Sequence, residues 1–193
     1  MFADFEKYIK TQTAVLTDDE ISMIARAATV TNVRKKQLLL QAGDVCRYKI
    51  FILEGFLRTY GVDADGEEHV MQFSPALTWT TEGESYANCI PSNYNIEAIE
   101  DSRLMLWTKD TFTGLMSNIP SLKQYSENLV AQNLHTSRNR LYKAISATAE
   151  EKYEDFVKTY PGILLRVPLR MVASYLGVSL KTLSRIRQAQ LQR

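Results

Sequence analysis

The chain has 193 residues, 45% of them hydrophobic and 23% charged, and a formal net charge of +1. Such a composition makes a folded globular chain of one large or two small domains and excludes a disordered one. Apolar runs such as "IFIL" at 50–53 are too short to cross a bilayer, no signal peptide is expected at "MFADFEKYIK", and Cys46 and Cys89 lie too far apart for a cysteine-built metal or iron–sulfur site. No membrane partner and a cytoplasmic location are the expectation.

Residues 3–30 read as helical. Phe5, Tyr8 and Ile9 share a face, and Thr17 with Glu20 has capping-box spacing ahead of Ile21, Ile24 and Ala25. From about Arg34 the texture changes to short β-like runs: "QLLLQAGD", "KIFILEG", "FLRTYG", "EEHVMQF", "LTWT", "YNIEAIE" and "SRLMLWT". "VDADGEEH" predicts a hairpin, because Asp65-Gly66 can supply positive φ angles, and Gly43, Gly55 and Gly61 are read as further chain reversals. Strands at roughly ten-residue spacing predict an all-β sandwich or roll rather than alternating α/β. Glu97 and Glu100 are read as solvent-facing strand residues, and the isolated His69 and His135 as ordinary histidines.

No Gly or Pro occurs between Ser121 and Ile145, so one long helix is predicted, with Leu122, Tyr125, Leu129, Val130, Leu134, Leu141 and Ile145 recurring at helical spacings. Two readings stand side by side: a helix packed on its own β-domain, or one pairing with a symmetry mate. "SATAEEKYEDFVKTYPG" predicts a capped amphipathic helix that stops at Pro161-Gly162.

Charge is strongly polarised along the chain. Residues 156–193 contain seven Lys or Arg and no acid, which leaves 16 of the 23 cations with all 22 acids in residues 1–155. The acid-free tract holds "VPLRMVASYLGVSLKTLSRIRQ", with Ala173 small where two helices approach, Gly177 at the turn, Ser179 placed to cap a second helix, and Val172, Leu176, Val178, Leu183 and Ile186 inward. This pattern predicts a helix-turn-helix whose second helix enters a major groove of duplex DNA, as a dimer on a two-fold symmetric site. Its outward face carries Lys181, Ser184, Arg185 and Gln188. Arg185 suits a guanine edge, while Arg170, Thr182 and Arg187 suit phosphates. Ser179 is counted with this DNA-facing set.

Taken together, these segments resemble the Crp/Fnr family of bacterial transcription regulators. The likeness rests on "LLLQAGDVCRYKIFILEGFLRTYGVDADGEEHVMQF", "YNIEAIEDSRLMLW" and "VASYLGVSLKTLSRIR". It implies an α+β fold: an N-terminal double-stranded β-helix (a jelly roll of cyclic-nucleotide-binding type) with flanking helices, a long central helix, and a C-terminal all-α helix-turn-helix without a complete wing. The implied domains are a sensor over 1–118, a dimerisation helix over 119–146 and a DNA-binding domain over 147–193. Homodimerisation, a small-molecule effector (a cyclic nucleotide or other) and contact with RNA polymerase are implied partners. In nucleotide-binding members a Gly-Glu-Leu-type turn holds the ribose and an Arg-Ser/Thr segment neutralises the phosphate. The matching region here is "TWTTEGESYANCIPSNYNIEAIE", giving an effector pocket of Glu82, Glu84, Ser85, Ser92, Asn93 and Tyr94. Ser92 and Asn93 stand where the arginine belongs, so cyclic AMP is not expected in the usual mode. Leu180-Lys181 replace the family's Arg-Glu pair, so the operator is expected to differ. The alternative is a sensor or interaction protein with a degenerate DNA-binding end. An enzyme is not expected, since no nucleophile–base arrangement or metal cluster is visible.

Overall fold

The computed structural model describes residues 2–191, Leu191 in its backbone alone. Contacts divide the chain into two compact units, one of residues 1–59 with 73–131 and one of residues 60–72 with 132–193.

The first unit is a β-roll with helices on its outer face. The predicted helical stretch forms helices α1 (Ala3–Gln12) and α2 (Asp18–Arg26). The break comes at Thr17, whose hydroxyl accepts the Glu20 N–H while the Glu20 carboxylate accepts the Thr17 N–H, the predicted capping box. The helical reading ran too far at its end: Thr29–Val33 is strand β1, where β-branched residues pair with a strand late in the chain. The remaining strands of the chain are β2 (Leu38–Leu40), β3 (Tyr48–Glu54), β4 (Phe56–Val62), β5 (Glu68–Pro75), β6 (Thr78–Thr80), β7 (Asn95–Ala98) and β8 (Ser102–Thr108), with the end of β4 and the start of β5 counted in the second unit. They form two four-stranded sheets, ordered β1-β8-β3-β6 and β2-β7-β4-β5.

Strand β3 explains why "IFIL" is continuously apolar. Ile50 and Ile52 face the roll interior with Leu40, Leu57, Ile96 and Leu104. Phe51 and Leu53 face the other way, into a core with Phe5, Ile24, Trp79 and Trp107. A strand buried on both faces cannot alternate with polar residues. The outer core is dense in aromatic rings, such as Phe5 edge-on to Phe51 at 5.0 Å. The Trp107 indole N–H donates to the Ile24 carbonyl at 2.8 Å, and that of Trp79 to the Tyr125 hydroxyl at 3.1 Å.

Gly55 turns the chain between β3 and β4 at φ +101°, as predicted. Gly61 does not: it lies inside β4, where the strand runs on to Val62. The β4–β5 hairpin forms, but only Gly66 takes a positive φ. Asp63 does the rest, its carboxylate accepting the N–H groups of Asp65 and Glu67, each at 3.0 Å.

Helix α4 (Lys109–Asn118) closes the roll, and α5 (Pro120–Ser146) starts with proline at its first position. The first reading of α5 holds for its N-terminal part only. Leu122 and Tyr125 are buried in the outer core with Leu129 packed against it, whereas Val130, Leu134, Leu141 and Ile145 are more than half exposed.

In the second unit, α6 (Ala149–Thr159) is capped by a Thr148–Glu151 box. A single 3₁₀ turn (Ile163–Leu165) leads to α7 (Leu169–Leu176) and α8 (Leu180–Leu191). Tyr153, Phe156, Ile163, Val172, Ala173, Leu176, Leu183 and Ile186 are buried, while the predicted inward Val178 is half-buried.

Candidate nucleic-acid interface and effector site

Gly177 ends α7 in the left-handed region at φ +65°, and its N–H bonds the Ala173 and Ser174 carbonyls. Only three residues separate the helices, and Ser179 then caps α8: its hydroxyl accepts the Thr182 N–H at 3.0 Å and lies 2.8 Å from the Thr182 hydroxyl. These two side chains set the start of the second helix. With Leu183 and Ile186 fully packed inward, the opposite face is fixed outward. Lys181, Arg185, Arg187 and Gln188 are exposed, Ser184 and Thr182 are half-buried, and Arg170 is exposed on α7. Among the described residues the side chains of Arg170, Lys181, Arg185 and Arg187 have no hydrogen-bond or ion-pair partner, so their charges face water. Cations whose only company is solvent suit phosphates and guanine edges. The expected lack of a wing concerns chain beyond Leu191, outside the described residues.

Sequence reasoning missed two side chains that hold this unit. The Ser174 hydroxyl of α7 accepts the Val70 N–H at 2.9 Å and donates to the Glu68 carbonyl at 2.8 Å. Strand β5 is the edge of its sheet, so this hydroxyl takes backbone groups that no neighbouring strand pairs. Arg140 of α5 donates to the Met71 carbonyl and lies 4.0 Å above the Tyr175 ring.

The six predicted effector residues fall on one turn and one short helix, α3 (Gly83–Asn88), which the sequence reading did not separate from the turn. The Glu82 carboxylate caps α3, accepting the N–H groups of Glu84 and Ser85 at 3.3 and 2.8 Å. Glu84 points to solvent. The buried Ser85 hydroxyl donates to the Ile90 carbonyl and accepts the Cys46 N–H. Ser92 is buried, its hydroxyl bonded to the N–H and carbonyl of Tyr94, which is half-buried; Asn93 is exposed.

Glu97 faces inward, against expectation. Arg58, the one charged side chain among the described residues that is buried, places its Nε and Nη2 each 2.6 Å from the Glu97 carboxylate. β4 and β7 are neighbours in one sheet, and the pairing brings together residues 39 apart in sequence. A charged residue within the apolar run "FLRTY" was the available signal.

These arrangements bear on a cyclic nucleotide, the effector type that the resemblance implies. A cyclic phosphate needs a cation or several free donors when taken from water. The six predicted residues supply neither: the α3 amides are occupied by Glu82, and the Ser92 hydroxyl serves its own turn. Burial also lowers the Lys49 ammonium's pKa and, with the nearby Cys46 and Asp110, pushes the Tyr86 phenol up to about 12. The six predicted residues do not by themselves fit a cyclic nucleotide in the usual mode. A cavity of about 410 Å³ does open on the roll, floored by Leu40, Cys46, Ile50 and Ile96 and rimmed by Asp44 and Arg47. That volume suits a small molecule. No helix among the described residues is long and apolar enough to cross a membrane.

A jelly roll with an outer helical layer, a long helix and a helix-turn-helix is an architecture that known transcription regulators share. Residues 30–118 match the cyclic nucleotide-binding domain family. The chain is 24% identical over 165 residues to the regulatory protein HlyX of Actinobacillus pleuropneumoniae (80% of this chain, 68% of that one). It is 22% identical to an anaerobic regulatory protein of Pasteurella multocida, of which it spans 60%. FixK2 from Bradyrhizobium japonicum has the same fold with TM-score 0.73 at 20% identity, over 86% of this chain and 84% of that one. A Crp/Fnr-family regulator from Eubacterium rectale follows at TM-score 0.71 and 17% identity, over 94% and 88%. The chain thus carries a cyclic nucleotide-binding domain over residues 30–118 and is similar in sequence and fold to transcription regulators of the Crp/Fnr type.

Proposed function

We propose that the chain is a dimeric, cytoplasmic, non-enzymatic regulator that binds duplex DNA through α8. Its β-roll answers to a small molecule other than cyclic AMP in the usual mode. The observation that carries this reading is the outward, unpaired row of Lys181, Arg185 and Gln188 on a helix whose opposite face is locked inward. Arg185 reads a guanine, Lys181 a guanine or a phosphate, and Arg170, Thr182 and Arg187 hold the backbone. Ser179 acts by capping, and Ser184 completes the reading face. Residues 1–118 sense, 119–146 dimerise and 147–193 bind DNA. The dimer is supported by Val130, Leu134, Leu141 and Ile145, apolar and exposed at spacings of four, seven and four on α5. Contact with RNA polymerase follows from the regulator role. Glu82, Glu84, Ser85, Ser92, Asn93 and Tyr94 shape the effector end of the roll rather than supply phosphate donors.

Selection from random duplexes tests the proposal. A two-fold symmetric site should emerge, Leu134→Glu should abolish its dimeric binding, and cyclic AMP should leave the melting temperature unchanged. No enriched sequence at moderate salt would instead mark an interaction protein with a degenerate DNA-binding end.

A further inference from the structure

Leu180 is the first residue of α8, immediately after the Ser179 cap, and its side chain is 49% exposed. The other large aliphatic side chains described on this helix, Leu183 and Ile186, are almost wholly buried. Leu180 contributes little to the core that holds the two helices together. It stands one turn before the half-buried Ser184 and next to the exposed Lys181, on the rim of the reading face. Residues at the N-terminal end of a groove-entering helix are those that meet base edges. In the major groove the four standard base pairs offer one apolar group, the C5-methyl of thymine.

We infer, resting on the DNA-binding reading above, that Leu180 determines specificity by packing against a thymine methyl. The reading face is then of mixed chemistry. Arg185 takes guanine acceptors through its planar fork, and Leu180 takes an apolar methyl that no hydrogen-bonding group would distinguish from water. Burying a half-exposed leucine against that methyl removes apolar surface of both partners from water, a gain that does not depend on salt.

The test pairs a protein change with a single-atom-group change in the DNA. The duplex selected by the parent protein is resynthesised with each thymine replaced in turn by uracil, which deletes only the methyl. At one symmetric pair of positions, uracil should weaken parent binding by about fourfold per half-site, the value of one buried methyl. Leu180→Ala should weaken binding to the thymine duplex by about the same factor or somewhat more. The same variant should be indifferent to uracil at that position, which is the coupling that identifies the pair. Leu180→Met, which keeps the apolar reach, should retain thymine preference. The salt dependence of Leu180→Ala should match the parent's, whereas a phosphate contact would lower the slope by about one. If the parent discriminates its duplex but uracil is tolerated everywhere, or Leu180→Ala stays sensitive at every position, the inference fails and the DNA-binding reading survives. A parent that selects no duplex at all overturns both.

Discussion

The Arg58–Glu97 pair offers a perturbation whose size the geometry sets. Replacing Glu97 by Ala removes the acceptor of two contacts at 2.6 Å and leaves a guanidinium whose side chain is 4% exposed. Removing one member of a buried pair costs about 3–5 kcal/mol, and toward the lower end where the other keeps further contacts, as Arg58 does. Glu97 is itself 14% exposed, so water can enter the gap, and the lower end, about 3 kcal/mol, is expected. For a chain of this size each kcal/mol moves Tm by about 2–4 °C, so Glu97→Ala should melt about 6–12 °C below the parent. Thermal and urea unfolding followed by circular dichroism read both quantities. The double variant Arg58→Met with Glu97→Leu removes both charges and should recover to within about 1 kcal/mol of the parent. A single variant that unfolds with the parent, or a double variant as weak as the single, would refute the claim that this arginine is committed to structure.

Gly55→Ala should be severely destabilising: its φ of +101° strains any side chain, and an added Cβ would come 2.6 Å from the Ser102 Cα, which is backbone. A loss of about 3 kcal/mol or more in urea unfolding is expected, and a loss under 1 kcal/mol would contradict the turn geometry. Glu20 is held below its ordinary 4.5 by the Thr17 backbone N–H and then by the Ser121 hydroxyl. A folded value below the unfolded one means its contribution is complete above the ordinary carboxylate range and is lost as pH falls through the depressed value. An NMR titration should place its midpoint below 4.5, and Ser121→Ala should move that midpoint upward; no displacement would disprove the contact. Ser174→Ala removes the hydroxyl that holds the β5 edge, so the Val70 amide should exchange about fivefold faster, the equivalent of about 1 kcal/mol. Unchanged exchange would show that the tie is not kept in solution.

Local chemistry made much of this fold legible. Thr17 with Glu20 marked a helix start because a capping box is completed within four residues. Gly177 and Ser179 marked the helix-turn-helix because a positive φ and a cap act over one turn. What stayed hidden depends on partners distant in sequence. β1 exists because Thr29–Val33 finds β8, and its five residues at the end of an amphipathic stretch carried too little period to stand alone. Glu97 looked solvent-facing because nothing near it announces Arg58. The Ser174 tie joins backbone and side chain 104 residues apart, so only the assembled chain reveals it. In the reading face, the residue identities were legible and their exposure was not, which is why Leu180 passed as a departure from a family pattern rather than as a surface in its own right.

The central claim is that α8 presents a cationic reading face to duplex DNA. Its most direct test is the affinity of the parent, Arg185→Ala and Lys181→Ala for the selected duplex, measured across a range of salt. A steep linear fall of log affinity with log salt is expected for the parent. Arg185→Ala should lose about 1–3 kcal/mol with relaxed specificity at one position, if it reads a guanine as placed here. Binding that ignores both salt and the loss of Arg185 would contradict the account.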